Sequence, residues 1–448
     1  MAQRTTQASL GFLLGQRNYN ALRELMLTMN EVDIASFINA LPEEEALKSF
    51  RLLPKSLASD IFAELEPDVQ RQLAEGINDK EIKLLFDGLA VDDAVDMLEE
   101  MPAELVKHIL KSASADTRDL LNQYLMYPAN SAGSVMTAEF TDLRADMTAA
   151  AALAHIRANG EDKETIYTCY VVNKQNVLQG VLSIRVLFLA QDDDLVGDLM
   201  VTNLISIQTT DTSENASKLM RKYNLISLPV VDYENHLVGI VTIDDAVEVL
   251  QEEATEDLEL MAAMTPSTKP YLKTGVMELA KNRFFWLLIL MLSGIASELV
   301  VGRYEAAISI VPILVAFIPM LSDMGGDAGS QVSTLVIRGM ALDEVELVDT
   351  IGMILKELLV SLMVAAPLAA LNYFRVIAGG GDPLVALTIS LALICTITMA
   401  NALGVCLPVL ARLCRIDPAL MATPMIASVV DILSMIIYFG IASALLRL

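Results

Sequence analysis

The stretch "ATPMIASVVDILSMIIYFGIASALL", residues 422–446, decides the fold. It is apolar over the length of a membrane span, yet Asp431 stands near its middle. An aspartate at the centre of an inserted helix costs about 2.5–3.5 kcal/mol on insertion scales, so its side chain is expected to face protein or water rather than lipid. Thr423, Ala427, Asp431 and Met435 recur at four-residue spacing and share one helical face. A carboxylate with backbone oxygens, and no histidine or thiol beside it, is a hard-oxygen set that suits magnesium or calcium better than zinc or copper. Magnesium gives up its water reluctantly, so it is expected to be held largely through its hydration shell, with a second Asp431 supplied if two chains meet about a twofold axis. The alternative use of Asp431 is an ion pair with Arg412 or Arg415, or a hydrogen bond between helices.

Outward from that segment the composition is uneven. The 448-residue chain carries a net charge of −26. Residues 1–275 hold 22 Lys+Arg against 44 Asp+Glu, whereas residues 276–448 hold 9 against 13. Behind the acidic part lie "FFWLLILMLSGIAS" and the uncharged run from Pro383 to Ala411, both with the apolarity of spans. The expectation is an integral membrane protein with a large aqueous head, its spans beginning near Phe284, Ala306, Thr350, Pro383 and Ala419. The first twenty residues lack the apolar core of a secretory signal, which points to a cytosolic head. Lys281, Arg283, Arg338, Lys356, Arg412 and Arg415 then lie inside, against Arg303, Arg375 and Arg447 outside, in keeping with the positive-inside bias. Such an acidic head repels nucleic acid and anionic lipid and attracts cations. Cys169, Cys395, Cys406 and Cys414 show no paired spacing and read as buried thiols; His108, His155 and His236 are far apart in the sequence.

The head divides in two. Residues 1–130 alternate amphipathic stretches with Pro42, Pro54, Pro67 and Pro102, each suited to the first turn of a short helix, and read as an acidic helical domain. From 131 to 250, apolar strand-like runs alternate with helices, and the pattern repeats: "VLQGVLSIRVLFLA" at 177–190 answers "HLVGIVTIDDAVEV" at 236–249, and "SVMT" at 134 answers "DLMV" at 198. That order of strand, glycine, strand, polar turn and helix resembles a tandem pair of CBS domains. Residues 251–282 then read as an acidic connecting helix, and 283–448 as a five-span pore domain.

Between the expected second and third spans lies "FIPMLSDMGGDAGSQVSTLVIRG", 317–339. Its glycines and Pro319 are read as a break in a membrane-depth segment, which is tolerated only where protein or water covers the backbone. Freed carbonyls of Gly325 and Gly326, with Asp327 and Gln331, are expected to receive a cation.

These residues together are similar to the MgtE-type magnesium channels and transporters: "PMLSDMGGDAGSQ" at 319, "GVCLPVLARLCRIDPAL" at 404, the Pro424–Asp431 segment, "FRLLP" at 50, "DDAVDMLEEMP" at 92, the two CBS repeats and "EEATED" at 252. The resemblance implies a plasma-membrane homodimer with the pore between two copies, carrying Mg2+ past Asp431, Ala427 and Thr423. It also implies that cytosolic Mg2+ bridges acids of the head and shuts the pore; the matching positions are Asp92, Asp96, Asp211, Asp245, Glu248, Glu253, Glu256, Asp257 and Asp417. Some members bind ATP in the CBS cleft, for which Tyr167, Tyr170, Arg185, Thr242 and Asp245 are the matching candidates. The chain departs from the family pattern at Asp327, where asparagine is usual, at Asn224, where a sensor acid is usual, and at Val186, where an aspartate is usual. Asp327 leaves cobalt or manganese open as alternative cargo. "GGD" around Asp327, Asp431 and "PAL" at 418–420 superficially resemble intramembrane aspartyl proteases, but the motif order is wrong and the CBS head has no place there. A CBS-gated anion channel leaves an intramembrane acid without a basic partner unexplained.

Overall fold

The computed structural model describes residues 2–99, 101–161, 163–267 and 271–447. It forms two compact units, residues 1–250 and 251–448.

The first unit begins with a helical array: α1 (Ala2–Gly15), α2 (Tyr19–Met26), α3 (Glu31–Asn39), α4 (Glu43–Phe50), α5 (Lys55–Ala63), α6 (Pro67–Gly76), α7 (Asp79–Phe86), α8 (Val91–Glu99), α9 (Ala103–Ser112) and α10 (Ala115–Tyr124). Prolines punctuate it as expected. Pro42, Pro54 and Pro102 are the N-caps of α4, α5 and α9, and Pro67 opens α6, places where a missing N–H costs nothing. Asn78 and Glu81 close a reciprocal capping box at the start of α7. Ile34, Ile38, Ile61, Phe62, Ile82 and Phe86 fill the core between them.

Two three-stranded sheets follow, β1 (Thr141–Leu143), β2 (Thr168–Val172) and β3 (Leu178–Ser183), then β4 (Ile207–Gln208), β5 (Ser227–Val231) and β6 (Leu237–Thr242). Their helices are α11 (Ala149–Asn159), α12 (Ile184–Leu189), α13 (Val196–Leu199) and α14 (Ser213–Tyr223). In both sheets the first pair is parallel, the second antiparallel, and the register shifts at the equivalent pair Val171/Val172 or Val230/Val231. The halves are also exchanged. The segment before each half bridges to the other sheet, Thr137 to Ile240 and Val201 to Val181. A Cβ on Gly180 would come within 2.5 Å of Met200 Sδ, and one on Gly239 within 2.7 Å of Met136 Sδ, so each repeat glycine makes room for the methionine that the exchange delivers. The helical array and the second half share one continuous core, in which Leu121 and Tyr124 pack with Ala132, Met136, Leu228 and Val241.

Helix α15 (Ile243–Met261) leads from the first unit into the second. The second unit contains α16 (Val276–Arg303), the short α17 (Glu305–Ile310), a 3-10 turn at Pro312–Phe317, α18 (Ile318–Ala341), α19 (Thr350–Ala378), α20 (Pro383–Leu413) and α21 (Thr423–Leu446). Four segments, Val276–Arg303, Leu347–Ala378, Pro383–Leu413 and Thr423–Leu446, are long and apolar enough to cross a membrane. The fifth long helix is α18, with 24 residues. It does not begin near Ala306, as the hydropathy suggests; Val311 and Pro312 divert the chain there and the long helix starts at Ile318.

The glycine-rich segment 317–339 is therefore not broken. Gly325, Gly326 and Gly329 lie inside a continuous helix, so their carbonyls belong to its hydrogen-bond ladder and are not free to receive a cation. Glycine serves close approach instead. A Cβ on Gly325 would lie 2.7 Å from both Thr396 Cγ2 and Val430 Cγ1, one on Gly329 2.8 Å from Ile426 Cγ2, and one on Gly404 2.7 Å from the Gly329 carbonyl. Small residues let α18, α20 and α21 touch backbone to backbone, the means of association open to helices that gain nothing from hydrophobic burial in lipid. Cys169 is buried and all four cysteines are free, but Cys395 and Cys414 are exposed: in an apolar helix the outward face is as cysteine-tolerant as the core.

Candidate functional site

In the second unit, α18 and α21 run antiparallel, with Gly329 against Ile426, Gly326 against Ala427 and Gly325 against Val430. One turn further, Asp431 meets Ser322 and Asp323 of α18. Asp431 is the ninth of the 24 residues of α21 and is half-buried. Its backbone carbonyl accepts from Ser434 Oγ at 2.9 Å. Among the described residues no cation pairs with it; Arg412 instead donates to the Val345 carbonyl.

Asp323, Asp327 and Gln331 recur every four residues on the exposed face of α18. Two acids on the outward face of a membrane-length helix require water or a second polar surface against them. Asp323 and Ser322 are not among the residues the sequence singles out; for Asp323 the signal is its four-residue spacing from Asp327 and Gln331, and for Ser322 there is none. Thr423 opens α21 and is exposed. Pro424 sits in the first turn, where its missing N–H interrupts no ladder, and its carbonyl accepts from Ser428 Oγ at 2.9 Å.

Below this, Asp417 caps the 3-10 turn Pro418–Met421 by accepting from Ala419 N at 2.7 Å. Ala419 and Ala422, with Ile337, pack against Leu260 and Met261 at the end of α15. The helix bearing Glu253, Glu256 and Asp257 is thereby anchored within the second unit at the turn that Asp417 begins.

In the first unit, the shared core brings the N-terminal end of α8 to the start of α15. Asp92 is only 9% exposed and its Oδ1 has no hydrogen-bond partner. Burial, then the like charges of Asp93 and Asp245, hold its carboxyl well above the usual range. Asp93 and Asp96 are more open, yet desolvation followed by neighbouring acids raises them to about 6 and about 7. Asp245 rises to about 6, chiefly by burial, while Thr242 Oγ1 donates to its Oδ2 at 2.5 Å and opposes the rise. Glu248 adds its charge to Asp96. An adjoining crevice of about 320 Å³ is lined by Asp60, Asp93, Glu139, Glu161, Glu164 and Lys163. Glu139 and Glu164 escaped the sequence reading because the fold alone brings these acids to α8; Asp93 lies on α8 itself, next to Asp92. Three or more His, Cys, Asp or Glu side chains do not converge at metal-ligand distance anywhere among the described residues.

Asp211 stands apart: its carboxylate accepts from Gln208 N at 3.1 Å and closes the turn after β4. Asn224 ends α14 in the left-handed conformation, φ 53°, which asparagine tolerates better than most side chains do. Of the nucleotide candidates, Tyr167 and Arg185 are exposed, but Tyr170 is fully buried, its hydroxyl 2.6 Å from Ser227 Oγ, and cannot stack on a base in this conformation. Thr242 and Asp245 are bonded to one another.

Comparison with known proteins agrees with this layout. A family profile described as a divalent cation transporter (MgtE) matches residues 318–441, one described as the MgtE intracellular N domain matches 29–130, and a CBS domain profile matches 196–252. The chain is 32% identical over 442 residues to the magnesium transporter MgtE of Thermus thermophilus, covering 98% of each, and 31% identical over 439 residues to that of Bacillus subtilis, covering 97% of this chain and 96% of the other. Among solved structures, the soluble part of a magnesium transporter matches with a TM-score of 0.53 at 29% identity, over 56% of this chain and 99% of that one. The cytosolic domain of the Mg2+ channel MgtE in complex with ATP matches with a TM-score of 0.52 at 31% identity, over 54% of this chain and 99% of that one.

Proposed function

The chain belongs to the MgtE family of magnesium transporters, and from that membership we propose that hydrated Mg2+ crosses the membrane along the face formed by Asp431, Asp323 and Asp327. It is a membrane transport protein for divalent cations, not an enzyme. The observation that supports this path most is that, among the described residues, no cation pairs with Asp431: a carboxylate at that depth needs compensation, and a passing divalent ion supplies it. Thr423, Ala427 and Gln331 border the same face. A second copy of the chain, related by a twofold axis, would double the acids and enclose the path.

The head is read as a cytosolic brake. Asp92, Asp93, Asp96, Asp245 and Glu248 repel one another when ionised, and Mg2+ between them relieves the repulsion and fixes the head. Glu253, Glu256, Asp257 and Asp417 extend the same reading to the end of α15, where it is anchored under the pore helices. Asp211, used in a turn, and Asn224, used as a cap, have lesser parts in it. ATP, seen in the relative's cytosolic domain, remains a proposed regulator here through Tyr167, Arg185, Thr242 and Asp245.

The test is flux in liposomes. Reconstituted protein is expected to pass Mg2+ down its gradient, to be inhibited by millimolar Mg2+ on the head side, and to lose flux on Asp431→Ala. A panel with Co2+ and Mn2+ ranks the cargo, and Asp327→Asn is expected to change that ranking. Unaltered flux in the alanine variant would remove Asp431 from the path.

A further inference from the structure

The membrane unit holds another carboxylate, away from the face assigned to cations. Glu357, the eighth residue of α19, is half-buried and accepts a hydrogen bond from Asn401 Nδ2 of α20 at 3.1 Å. Asn401 is 6% exposed and stands three residues from residue 398, the midpoint of the 31-residue α20, about 4.5 Å along the axis. The contact therefore lies within the hydrocarbon layer. Asn401 Oδ1 is buried with no partner. An ionised Glu357 can only accept, so it can never satisfy that oxygen.

The charged surroundings offer no other compensation. Among the described residues no cation pairs with Glu357. Lys356, its neighbour on α19, points to the exposed side, and Arg412 of α20 is engaged with the Val345 carbonyl. Asp349, in the turn before α19, accepts from Glu346 N. Cys395 and Cys406 are the other titratable groups of α20. One turn along α19, Ser361 Oγ donates to the Leu358 carbonyl at 2.9 Å and lies 3.4 Å from Thr398 Oγ1, so its proton is not spent on Asn401.

We propose that Glu357 is a proton-binding site: the neutral carboxylic acid donates its O–H to Asn401 Oδ1 and accepts from Asn401 Nδ2, a reciprocal acid–amide pair that ties α19 to α20. Both buried polar groups are then satisfied and no charge is left in the apolar layer. The site is separate from the metal path, and its failure would leave that reading untouched.

Infrared difference spectra of the full-length protein in lipid nanodiscs test it, wild type minus Glu357→Gln at neutral pH. The expected result is a protonated-carboxyl C=O band present in wild type, absent from the variant and shifted in D2O; acids of the head and Asp431 cancel in the difference. Glutamine can make both bonds of the neutral pair, so the variant should keep wild-type thermal stability. Should it fail to fold, Asn401→Ala provides the second reading, moving the same band to higher frequency as its hydrogen bonds are lost. A difference spectrum with carboxylate bands only, or a protonated band that ignores Asn401→Ala, overturns the proposal.

Discussion

Among the described residues, both units keep carboxylates that no cation pairs with, but in opposite solvents. In the first unit Asp92, Asp93, Asp96 and Asp245 crowd one another at a protein crevice bordered by water; in the second, Asp431 and Asp323 meet across antiparallel helices of membrane length. In the head, burial and like charges push these carboxyls upward. Its acids titrate near neutral pH, so a modest change in metal or acidity shifts their charge. In the membrane unit the backbone geometry is instead rigidly fixed by glycines, and the charge is set against a face that other polar matter has to cover. One chemistry, the uncompensated carboxylate, thus stands in two settings: in the head it carries the proposed switch, and in the membrane unit the proposed path.

Breaking the rigid half should have the largest effect. Gly325→Val puts branched carbon where even a Cβ would lie 2.7 Å from Thr396 and Val430, and is expected to cost about 1–3 kcal/mol or more, seen as loss of monodisperse protein in detergent. Relieving the soft half acts in the other direction. Asp92→Asn removes a carboxyl that burial and neighbouring acids disfavour as an anion, and should stabilise the chelator-treated head at pH 8 while reducing the extra stabilisation that Mg2+ gives; thermal unfolding with and without Mg2+ measures both.

Proton linkage sharpens the contrast further. Acids whose folded pKa is raised contribute stability that is complete below their unfolded values, near 3.8, and lost as pH rises through about 6 to 7. In chelator the head should therefore unfold more easily at pH 8 than at pH 5, and added Mg2+ should narrow that gap. A stability that rises with pH over this window would contradict the crowding. The smallest effect is expected at Asn224→Ala, roughly 1 kcal/mol for a left-handed residue without asparagine's local bonding, with Mg2+ sensitivity unchanged.

Much of this was legible in the sequence, for identifiable reasons. The internal repeat at Gly180 and Gly239 reads directly because a single steric need, room for Met200 and Met136, recurs in both halves. Asp431 reads because charge in an apolar run has few uses. The glycines of 317–339 misled because the same letter permits a broken helix or a tightly packed one, and only the neighbours Thr396, Ile426 and Val430 decide between them. Glu164 and Glu139 were invisible for a different reason: they reach α8 through long-range packing that no local pattern announces. Tyr170 looked like a stacking residue, but a fully buried hydroxyl bonded to Ser227 belongs to the core between the CBS halves.

The central claim is that the charge of Asp431, not its volume or hydrogen bonds, draws Mg2+ through the membrane unit. Asp431→Asn isolates it, since the amide keeps the size and the polar contacts while the charge is lost. Mg2+ flux into dye-loaded liposomes should fall at least tenfold in this variant with thermal stability equal to or above wild type. Flux at the wild-type rate, or a loss of flux that merely follows a loss of folded protein, would contradict the account.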